Sequence, residues 1–316
     1  MTDLDRAVSV VINDCLAVRE GEDVLVVCNP ATLGLGERLR GEAGRVGADA
    51  VLALMAERAS HAAEPPDPIA AAMLKADVVL APTVQSLSHT AARKAATNAG
   101  VRAATLPGVT EEMLARVMSA DVDGLRRRSK AVADALTAAS EARITCPNGS
   151  DLRLGLDGRE GILDDGDLQE RGAWGNLPCG EGFIAPVEGT GEGTLVVDGT
   201  IASIGIPSEP VTLTVEAGHL VAATGAEGQR LMELLTKHGP DATSVAELGI
   251  GTNECAILSG DVLEDEKILG TCHVAFGASA GIGGTVQVPV HLDCVVTKPD
   301  VTLDGQPLIG AGELLV

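Results

Sequence analysis

Short apolar runs alternate with helix-forming segments over the first 140 residues, and this alternation limits the folds that the chain can adopt. The apolar runs consist almost entirely of Val, Leu and Ala, and they cover residues 24–27, 50–54, 78–82 and 101–107. The segments of helical character between them cover residues 34–46, 67–75, 88–98 and 110–119. Short strands without polar alternation are typical of parallel sheets that helices cover on both faces. This region therefore predicts a doubly wound parallel-sheet domain.

The pattern changes after a long polar helix that we predict over residues 121–141. Short strands separated by Gly, Asp and Pro turns follow it, in the segments ARITC, DLRLGLDG, GTLVVDG, IASIGIP and VTLTVEAG. Further helices are predicted over residues 225–239 and 262–270, and three apolar strands over 272–277, 288–296 and 301–309. We predict an α/β protein, with a Rossmann-like domain over residues 1–141 and a strand-rich α+β domain over 142–316.

Composition excludes several classes of partner. The chain has 45 acidic and 23 basic residues, a net charge of −22, and no Tyr. Such a surface repels phosphate backbones, and only three aromatic side chains are available for base stacking, so we predict no nucleic-acid partner. We find no signal peptide and no apolar run long enough for a membrane span. Seven cysteines without a C-x-x-C motif favour a reduced, cytoplasmic protein.

The first domain has no nucleotide fingerprint. The turn after its first strand reads CNPATLGLGERLR, without G-x-G-x-x-G, and the chain has no P-loop, so we predict no nucleotide cofactor. The segment SLSHT lies at the carboxyl end of a strand and includes Ser88, His89 and Thr90, while Arg93 lies one turn into the next helix. These side chains could face a ligand. Alternatively, Ser88 caps the helix and His89 is exposed.

An imidazole and a carboxylate lie two residues apart in an apolar segment near the end of the chain. His291 and Asp293 belong to VPVHLDCVV, and residues two apart on a strand project from the same face. Burying both without partners is costly, and a divalent cation would satisfy both. A His–Asp hydrogen bond that stabilises the sheet is the alternative, and this motif alone does not separate the two.

Three further residues extend this candidate metal site. His273 lies in the apolar run GTCHVAFG, Glu247 lies in SVAELGIGTN, and Glu181 lies in the Gly- and Pro-rich stretch WGNLPCGEGFIAPVE. Each alone could be a paired or solvated side chain, but together with His291 and Asp293 they could hold one or two metal ions. Glu188, Asp265 and Glu266 are weaker candidates, because LEDEK is typical of a charged helical face.

The ordered motifs NLPCGEGFIAPVEG, AELGIGTN, LEDEKILGTCHVAFG and VHLD resemble those of the thermophilic metallo-aminopeptidases of the aminopeptidase T and aminopeptidase S type. The resemblance covers roughly residues 145–310. It implies two domains, a homodimer, and a dinuclear metal site in the second domain. It also implies a ligand set at Glu181, Glu247, His273, His291 and Asp293. The family places a tyrosine in this site, seven residues after the first histidine, where this chain has Ala280.

The same superfamily includes 2,5-dihydroxypyridine dioxygenase, which uses one iron on a set of two histidines and one carboxylate. The chain is similar to it in compactness and in SLSHT, where Leu87 and His89 match substrate-pocket residues. His291 and Asp293 match two of its iron ligands. Its other histidine falls near Glu247, where this chain has a carboxylate.

Two kinds of catalysis follow from this superfamily. Because five candidate ligands exceed what one iron needs, we predict a metal-dependent hydrolase that cleaves a peptide or amide bond with zinc, cobalt or manganese. Glu181 is then the predicted base, and His89 and Arg93 orient a small peptide or small-molecule substrate. The alternative is Fe(II)-dependent cleavage of a hydroxylated heteroaromatic ring, which the absent tyrosine and SLSHT favour. A site without catalysis, structural or for binding only, is a third possibility.

Overall fold

The computed structural model describes residues 2–316. Its α-helices are α1 (Asp3–Ser9), α2 (Leu33–Val46), α3 (Asp67–Met73), α4 (Ala91–Asn98), α5 (Glu111–Val117), α6 (Val122–Ala138), α7 (Gly225–Thr236) and α8 (Val262–Asp265). A π-helix (Val10–Cys15) continues α1, and 3-10 turns lie at Pro30–Thr32 and Pro240–Thr243. No helix within residues 2–316 is both long and apolar enough to cross a membrane.

The β-strands are β1 (Asp23–Cys28), β2 (Asp49–Leu54), β3 (Val78–Ala81), β4 (Arg102–Thr105), β5 (Glu141–Thr145), β6 (Asp151–Gly155), β7 (Ile162–Asp164), β8 (Trp174–Asn176), β9 (Glu181–Ile184), β10 (Glu192–Val197), β11 (Val211–Glu216), β12 (His219–Ala223), β13 (Val245–Gly251), β14 (Cys272–Gly277), β15 (His291–Val296), β16 (Asp300–Leu303), β17 (Gln306–Gly310) and β18 (Glu313–Leu314). They form three sheets, one parallel and two antiparallel. The predicted α/β class, with a parallel-sheet part and a strand-rich part, is confirmed.

The chain divides into two compact units. The first comprises the chain up to Ala120 together with Gly166–Cys179, and the second comprises Asp121–Asp165 and Gly180–Val316. This division differs from a boundary at residue 141 in two respects. The helix α6 belongs to the second unit, where it packs on β9. The segment that contains β8 returns to the first unit, because β8 pairs with β4.

The first unit contains a parallel sheet of strand order β2-β1-β3-β4-β8. The four strands predicted from apolar runs are present as β1 to β4, and β8, with three residues, gave no sequence signal. The strands β3 and β4 are buried along their whole length, as expected for a sheet covered on both faces. The strand β2 lies at the sheet edge and differs, since Val51 is 56% and Leu54 is 53% exposed.

Two antiparallel sheets build the second unit. An eight-stranded sheet has the order β12-β11-β10-β6-β5-β16-β17-β18, and a five-stranded sheet, the site sheet, has the order β15-β14-β13-β9-β7. Residues from both sheets and from α6 and α7 form one hydrophobic core, which includes Leu136, Ile144, Leu213, Leu248 and Phe276. This core fixes one face of the site sheet and leaves its other face for polar side chains.

Two strand predictions in the second unit are wrong in detail. The segment IASIGIP forms a tight turn, in which Ile201 bridges to Gly205 and to Cys294. The segment over residues 301–309 is a hairpin of β16 and β17 and not one strand. Its turn residues Asp304 and Gly305 have φ values of 48° and 79°, which is the conformation that Asp-Gly favours in two-residue hairpin loops.

Candidate metal centre

The site sheet has one apolar face and one polar face, as strand alternation dictates. On β13, Leu248 and Ile250 belong to the hydrophobic core, and on β14 Val274 and Phe276 do so. Their neighbours in sequence project from the opposite face. On that face lie the five candidate ligands, contributed by four adjacent strands: Glu181 (β9), Glu247 (β13), His273 (β14), His291 and Asp293 (β15).

The strand register places these residues in neighbouring rows. Ala275 is the partner of Glu247 on β13 and of Asp293 on β15, so the two carboxylates flank a methyl group in one row. His273 lies two residues from Ala275 on β14 and therefore on the same face. Small residues lie between the candidate ligands. The space above this face is therefore left to the longer side chains of the ligands.

Gly249 makes room for the imidazole of His273. The two residues are register partners on β13 and β14. A Cβ atom built at Gly249 would overlap Nε2 and Cε1 of His273. The ring of His273 therefore lies over the backbone of β13, and any side chain at position 249 would displace it. The motif AELGIG supplies both a candidate ligand, Glu247, and the space for another, His273.

Glu247 lies between the two histidines. Its Oε1 is 3.2 Å from Nε2 of His273, and its Oε2 is 3.4 Å from Nε2 of His291. Nε2 of His273 is also 3.1 Å from Oε2 of Glu181, and Nε2 of His291 is 3.4 Å from Oδ1 of Asp293. These contacts join all five candidate ligands in one connected cluster.

Three groups of donor atoms, drawn from these five residues and Glu266, are compact enough to hold a metal ion. They are Glu181–Glu247–His273, Glu247–His291–Asp293 and Glu266–His273–Asp293. The first two share Glu247. Each group has one histidine and two carboxylates, so no group found among residues 2–316 has the two histidines and one carboxylate that the resemblance implies. Carboxylate oxygen with imidazole nitrogen is a donor set suited to divalent first-row metals.

The ring of His291 is held in the orientation that metal binding needs. Its Nδ1 donates a hydrogen bond of 2.7 Å to the carbonyl oxygen of Ala278, so Nε2 is free to act as a ligand. His291 is also the most exposed member of the cluster, with 30% of its side chain accessible, whereas His273 is fully buried. The group around His291 is therefore the one that a substrate can reach.

A buried lysine completes the cluster. Lys267 is fully buried, and its Nζ donates hydrogen bonds of 2.7 Å to Oε1 of Glu181 and 2.7 Å to Oε1 of Glu266. Oδ2 of Asp164 is 3.4 Å away. The ammonium group is thus surrounded by three carboxyl groups. Of the two oxygens of Glu181, Oε1 contacts lysine and Oε2 faces His273 without a well-formed hydrogen bond.

Negative charge exceeds positive charge in this cluster, and the pKa values reflect this. Burial and the carboxylate of Glu181 raise the pKa of Asp164 to about 7 and that of Glu266 to about 8, against the attraction of Lys267. Burial also disfavours the charged forms of Glu181 and Asp293, but neighbouring cations outweigh it and lower both pKa values to about 2. Carboxyl groups that keep protons near neutrality and an unpaired Glu181 Oε2 fit a site built for a cation.

The segment LEDEK is not a charged helical face. The helix α8 ends at Asp265, and Glu264, Asp265 and Lys267 are fully buried. Asp265 accepts hydrogen bonds from the backbone of Ser259 and Gly260 and holds the preceding loop. Sequence reasoning missed Lys267 and Asp164 and rated Glu266 as weak. The sequence itself argues against a charged helical face, because four consecutive charges cannot all lie on one face of a helix.

The structure also locates Glu188, a weaker candidate ligand, and Ala280, the position of the family tyrosine. Glu188 is outside the cluster, where it accepts a 2.6 Å hydrogen bond from the backbone of Thr285 and pairs with Arg159. It thereby holds the loop between β14 and β15. Ala280 lies in the same loop with an exposed side chain. The position of the family tyrosine therefore contributes no polar group.

His89 and Arg93 lie in the first unit. His89 is exposed and meets the ring of Trp174 edge-on, at 6.2 Å between centroids. Arg93 is buried, lies 3.6 Å above the same ring, and its Nε donates a 2.6 Å hydrogen bond to the carbonyl oxygen of Ser88. Burial lowers the pKa of Arg93 to about 10. Its guanidinium group thus contacts a backbone carbonyl and an aromatic ring of the same unit.

Comparisons with known proteins identify the family. The family model described as NicX: 2,5-dihydroxypyridine 5,6-dioxygenase matches residues 44–316. The chain belongs to the NicX family. A 2,5-dihydroxypyridine 5,6-dioxygenase of Pseudomonas putida KT2440 is 26% identical over 220 residues, which are 65% of this chain and 62% of that relative. The matched segment thus spans less than two thirds of the relative's length.

Solved structures share the fold. The structure of 2,5-dihydroxypyridine dioxygenase from Pseudomonas putida KT2440 has a TM-score of 0.85 at 22% identity, covering 100% of this chain and 98% of that one. Wild-type AmpT from Thermus thermophilus has a TM-score of 0.74 at 19% identity and covers 99% of both chains. The predicted resemblance to aminopeptidase T is confirmed for the fold.

Membership in the NicX family overturns the predicted chemistry. The prediction of a metallo-aminopeptidase-like hydrolase is wrong, since the matching family model is that of a dioxygenase and AmpT is a distant structural neighbour. The number of candidate ligands overstates the metal site, because one of the five, Glu181, pairs with the buried Lys267. The role of Glu181 as the base of a hydrolysis is not retained.

Proposed function

We propose that the chain is a metal-dependent dioxygenase that opens a hydroxylated pyridine ring. The observation that carries this proposal is the family match over residues 44–316, which includes all five candidate ligands. The substrate class follows from the name of the relative, 2,5-dihydroxypyridine 5,6-dioxygenase. In such a reaction the bond between ring carbons 5 and 6 breaks, and both atoms of O₂ enter the ring-opened product.

Glu247, His291 and Asp293 would hold the metal ion at which the ring binds. We favour this group because His291 and Asp293 are partly exposed, whereas Glu181 and His273, the other partners of Glu247, are buried. We propose Fe(II) as the ion; when bound, it would supply the redox chemistry of O₂ and a Lewis acid for the hydroxyl oxygens of the substrate.

The residues of the chain orient the donors and exclude water. The hydrogen bond from Nδ1 of His291 to Ala278 keeps the proton on that nitrogen and directs Nε2 toward the centre. Glu247 contacts both imidazoles and so fixes their separation. Burial of His273 and Lys267 removes solvent from the inner side of the site. The charged groups then interact in a medium of low dielectric constant.

His89 stays a proposal for substrate binding. The segment SLSHT is the sequence feature that supports it. The side chain of His89 is exposed and is therefore accessible to a small molecule. We expect H89A to raise KM for the ring substrate without lowering the metal content. Unchanged KM together with unchanged kcat would exclude His89 from substrate binding.

Oxygen consumption tests the proposed function directly. The protein is loaded with Fe(II) without oxygen, its iron content is measured, and O₂ uptake is recorded with 2,5-dihydroxypyridine. We expect one O₂ consumed per ring opened, and both atoms of ¹⁸O₂ in the product by mass spectrometry. Iron-loaded protein that consumes no O₂ with this ring or with related dihydroxypyridines would contradict the proposal.

The variants D293N and E188Q provide the matched comparison. Asp293 belongs to the proposed metal group, whereas Glu188 holds a loop outside the cluster. We expect D293N to lose iron and O₂ uptake together. E188Q should keep iron binding. Equal loss in both variants would attribute the effect of D293N to general disruption of the second unit.

A further inference from the structure

The two histidines of the cluster differ in what their Nδ1 atoms contact. Nδ1 of His291 donates a 2.7 Å hydrogen bond to the carbonyl oxygen of Ala278. Nδ1 of His273 is buried and has no hydrogen-bond partner among residues 2–316. A histidine that binds a metal ion through Nε2 keeps its proton on Nδ1 and almost always donates it to an acceptor. His291 meets this requirement, and His273 does not.

The surroundings of His273 place a proton on its Nε2 instead. This atom makes a 3.2 Å hydrogen bond with Oε1 of Glu247 and lies 3.1 Å from Oε2 of Glu181. The tautomer with its proton on Nδ1 alone would turn the lone pair of Nε2 toward two carboxylate oxygens and leave a buried N–H without an acceptor, which is costly. The other neutral tautomer and the imidazolium ion both carry a proton on Nε2. That nitrogen is therefore a hydrogen-bond donor to Glu247.

Packing holds the imidazole of His273 in this orientation. The side chain is fully buried, and its ring lies over the backbone of Gly249, where any Cβ atom would overlap it. Oε1 of Glu247 is thus held on the buried side of the site. Oε2 of the same carboxylate lies 3.4 Å from Nε2 of the partly exposed His291. The two oxygens of Glu247 therefore face different histidines.

We propose that His273 is a positioning residue and not a metal ligand. Its Nε2–H retains Oε1 of Glu247, so Glu247 binds the ion through Oε2 alone, beside His291 and Asp293. The inference rests on the proposed function, because it requires the single ion placed there. Three ligand atoms from the chain leave the other positions of the ion open to external ligands, whereas a bidentate Glu247 would close one of them. His273 thus has a different role from the ligand that the resemblance to the metallo-aminopeptidases implies.

The protonation of His273 is measurable without any metal ion. Long-range ¹H–¹⁵N correlation spectra of the metal-free protein show which ring nitrogens carry protons, and the variants H273Q and H291Q assign these two rings among the six histidines of the chain. We expect a protonated Nε2 in His273 and a protonated Nδ1 in His291. An unprotonated Nε2 in His273 would overturn the inference.

A crystal structure of the wild-type protein, loaded with Fe(II) without oxygen, tests the binding mode of Glu247. We expect iron on Oε2 of Glu247, with Nε2 of His273 within hydrogen-bond distance of Oε1. Iron bound to His273, or a bidentate Glu247, would overturn this inference alone. Protein that binds no iron would refute the metal centre and with it the proposed function as well.

Conservative substitution separates a hydrogen-bond donor from a ligand. H273Q supplies an amide N–H in place of Nε2–H, whereas H273L supplies no donor. Calorimetric titration of metal-free protein should show most of the wild-type affinity for Fe²⁺ in H273Q and a loss of about 10–100-fold in H273L. The control H238L removes a half-buried histidine that follows α7, and it should bind Fe²⁺ like the wild-type protein. Equal affinity in H273Q and H273L, whether lost or retained, would overturn the inference.

Discussion

Each unit of the chain contains a buried polar cluster, and the two clusters differ in charge and in how their groups are satisfied. In the first unit, Ser88 lies 2.7 Å from Oγ1 of Thr105 and 2.8 Å from Oδ1 of Asn176, and these two are 2.7 Å from each other. This hydroxyl cluster is neutral, and its members satisfy one another. In the second unit, the cluster around Glu247 is charged, and Glu181 Oε2 and His273 Nδ1 lack hydrogen-bond partners.

The difference separates a structural polar cluster from a functional one. Neutral groups that pair among themselves need no further ligand. A buried excess of carboxylates is costly unless a cation compensates it, so such a cluster is evidence for a missing ligand. The carboxyl ends of parallel strands are where the fold of the first unit would place a ligand, yet the stronger chemical signal lies on an antiparallel sheet.

The largest expected effect comes from filling the space above β13. G249A should displace the imidazole of His273, which contacts the proposed ligand Glu247, and lower the affinity for Fe²⁺ or Mn²⁺ by about 10–100-fold, with loss of activity. Calorimetric titration of metal-free protein measures this affinity. The control G41A adds a methyl group in open space on α2 and should leave metal binding unchanged. Wild-type affinity in G249A would refute the placement of His273.

The metal-free protein should lose stability as the pH rises from 5 to 8, by about 2–4 kcal/mol. Burial raises the pKa of Asp164 to about 7 and of Glu266 to about 8, so the folded chain holds more protons than the unfolded one in this range. Stability then falls with pH. The pKa values of His273 and His291, held above their ordinary range by neighbouring carboxylates despite burial, act in the same direction.

Urea unfolding at several pH values measures this slope. The double variant D164N/E266Q removes the two carboxyl groups and should flatten the slope without abolishing it, because the histidines still contribute. Saturating Mn²⁺ should also flatten it, since the ion replaces the bound protons. Stability that is constant or rises between pH 5 and 8 in the metal-free protein would contradict the excess of negative charge.

A substitution in the neutral cluster of the first unit should change the stability of the protein but not its metal affinity. S88A removes one hydroxyl from a buried hydrogen-bonded group and should cost about 1–2 kcal/mol in the free energy of unfolding. Metal affinity should stay at the wild-type value. Urea unfolding followed by the fluorescence of Trp174, the sole tryptophan, reports on this unit. The control S119A removes an exposed hydroxyl and should change the free energy of unfolding by less than about 0.5 kcal/mol.

The smallest effect is expected at the cation–π contact of the first unit. R93K keeps the charge but loses the planar group that lies over Trp174 and the hydrogen bond from Nε to Ser88. We expect a loss of about 0.5–1 kcal/mol in the free energy of unfolding, with metal content unchanged. A loss of activity without a loss of stability would instead support the prediction that Arg93 orients the substrate.

Local sequence patterns predicted most elements and singled out five residues that the structure brings together on one face of the site sheet. The apolar runs gave β1, β3 and β4, and charged or imidazole side chains on apolar strands drew attention to Glu247, His273 and Asp293. The hairpin of β16 and β17 was missed although Asp-Gly is a turn signal, because apolar residues on both sides of the turn resemble one long strand. The strand β8 was missed because three residues carry no periodicity.

The sequence by itself determined which side chains share a face, because residues two apart on a strand always do so. Glu247 and Gly249 are therefore on one face, and Leu248 is on the other, whatever the neighbours of the strand are. Only the tertiary structure decided which carboxylates meet a cation. Lys267 comes from an irregular segment, and its approach to Glu181 depends on contacts between residues 86 positions apart, which no local pattern encodes.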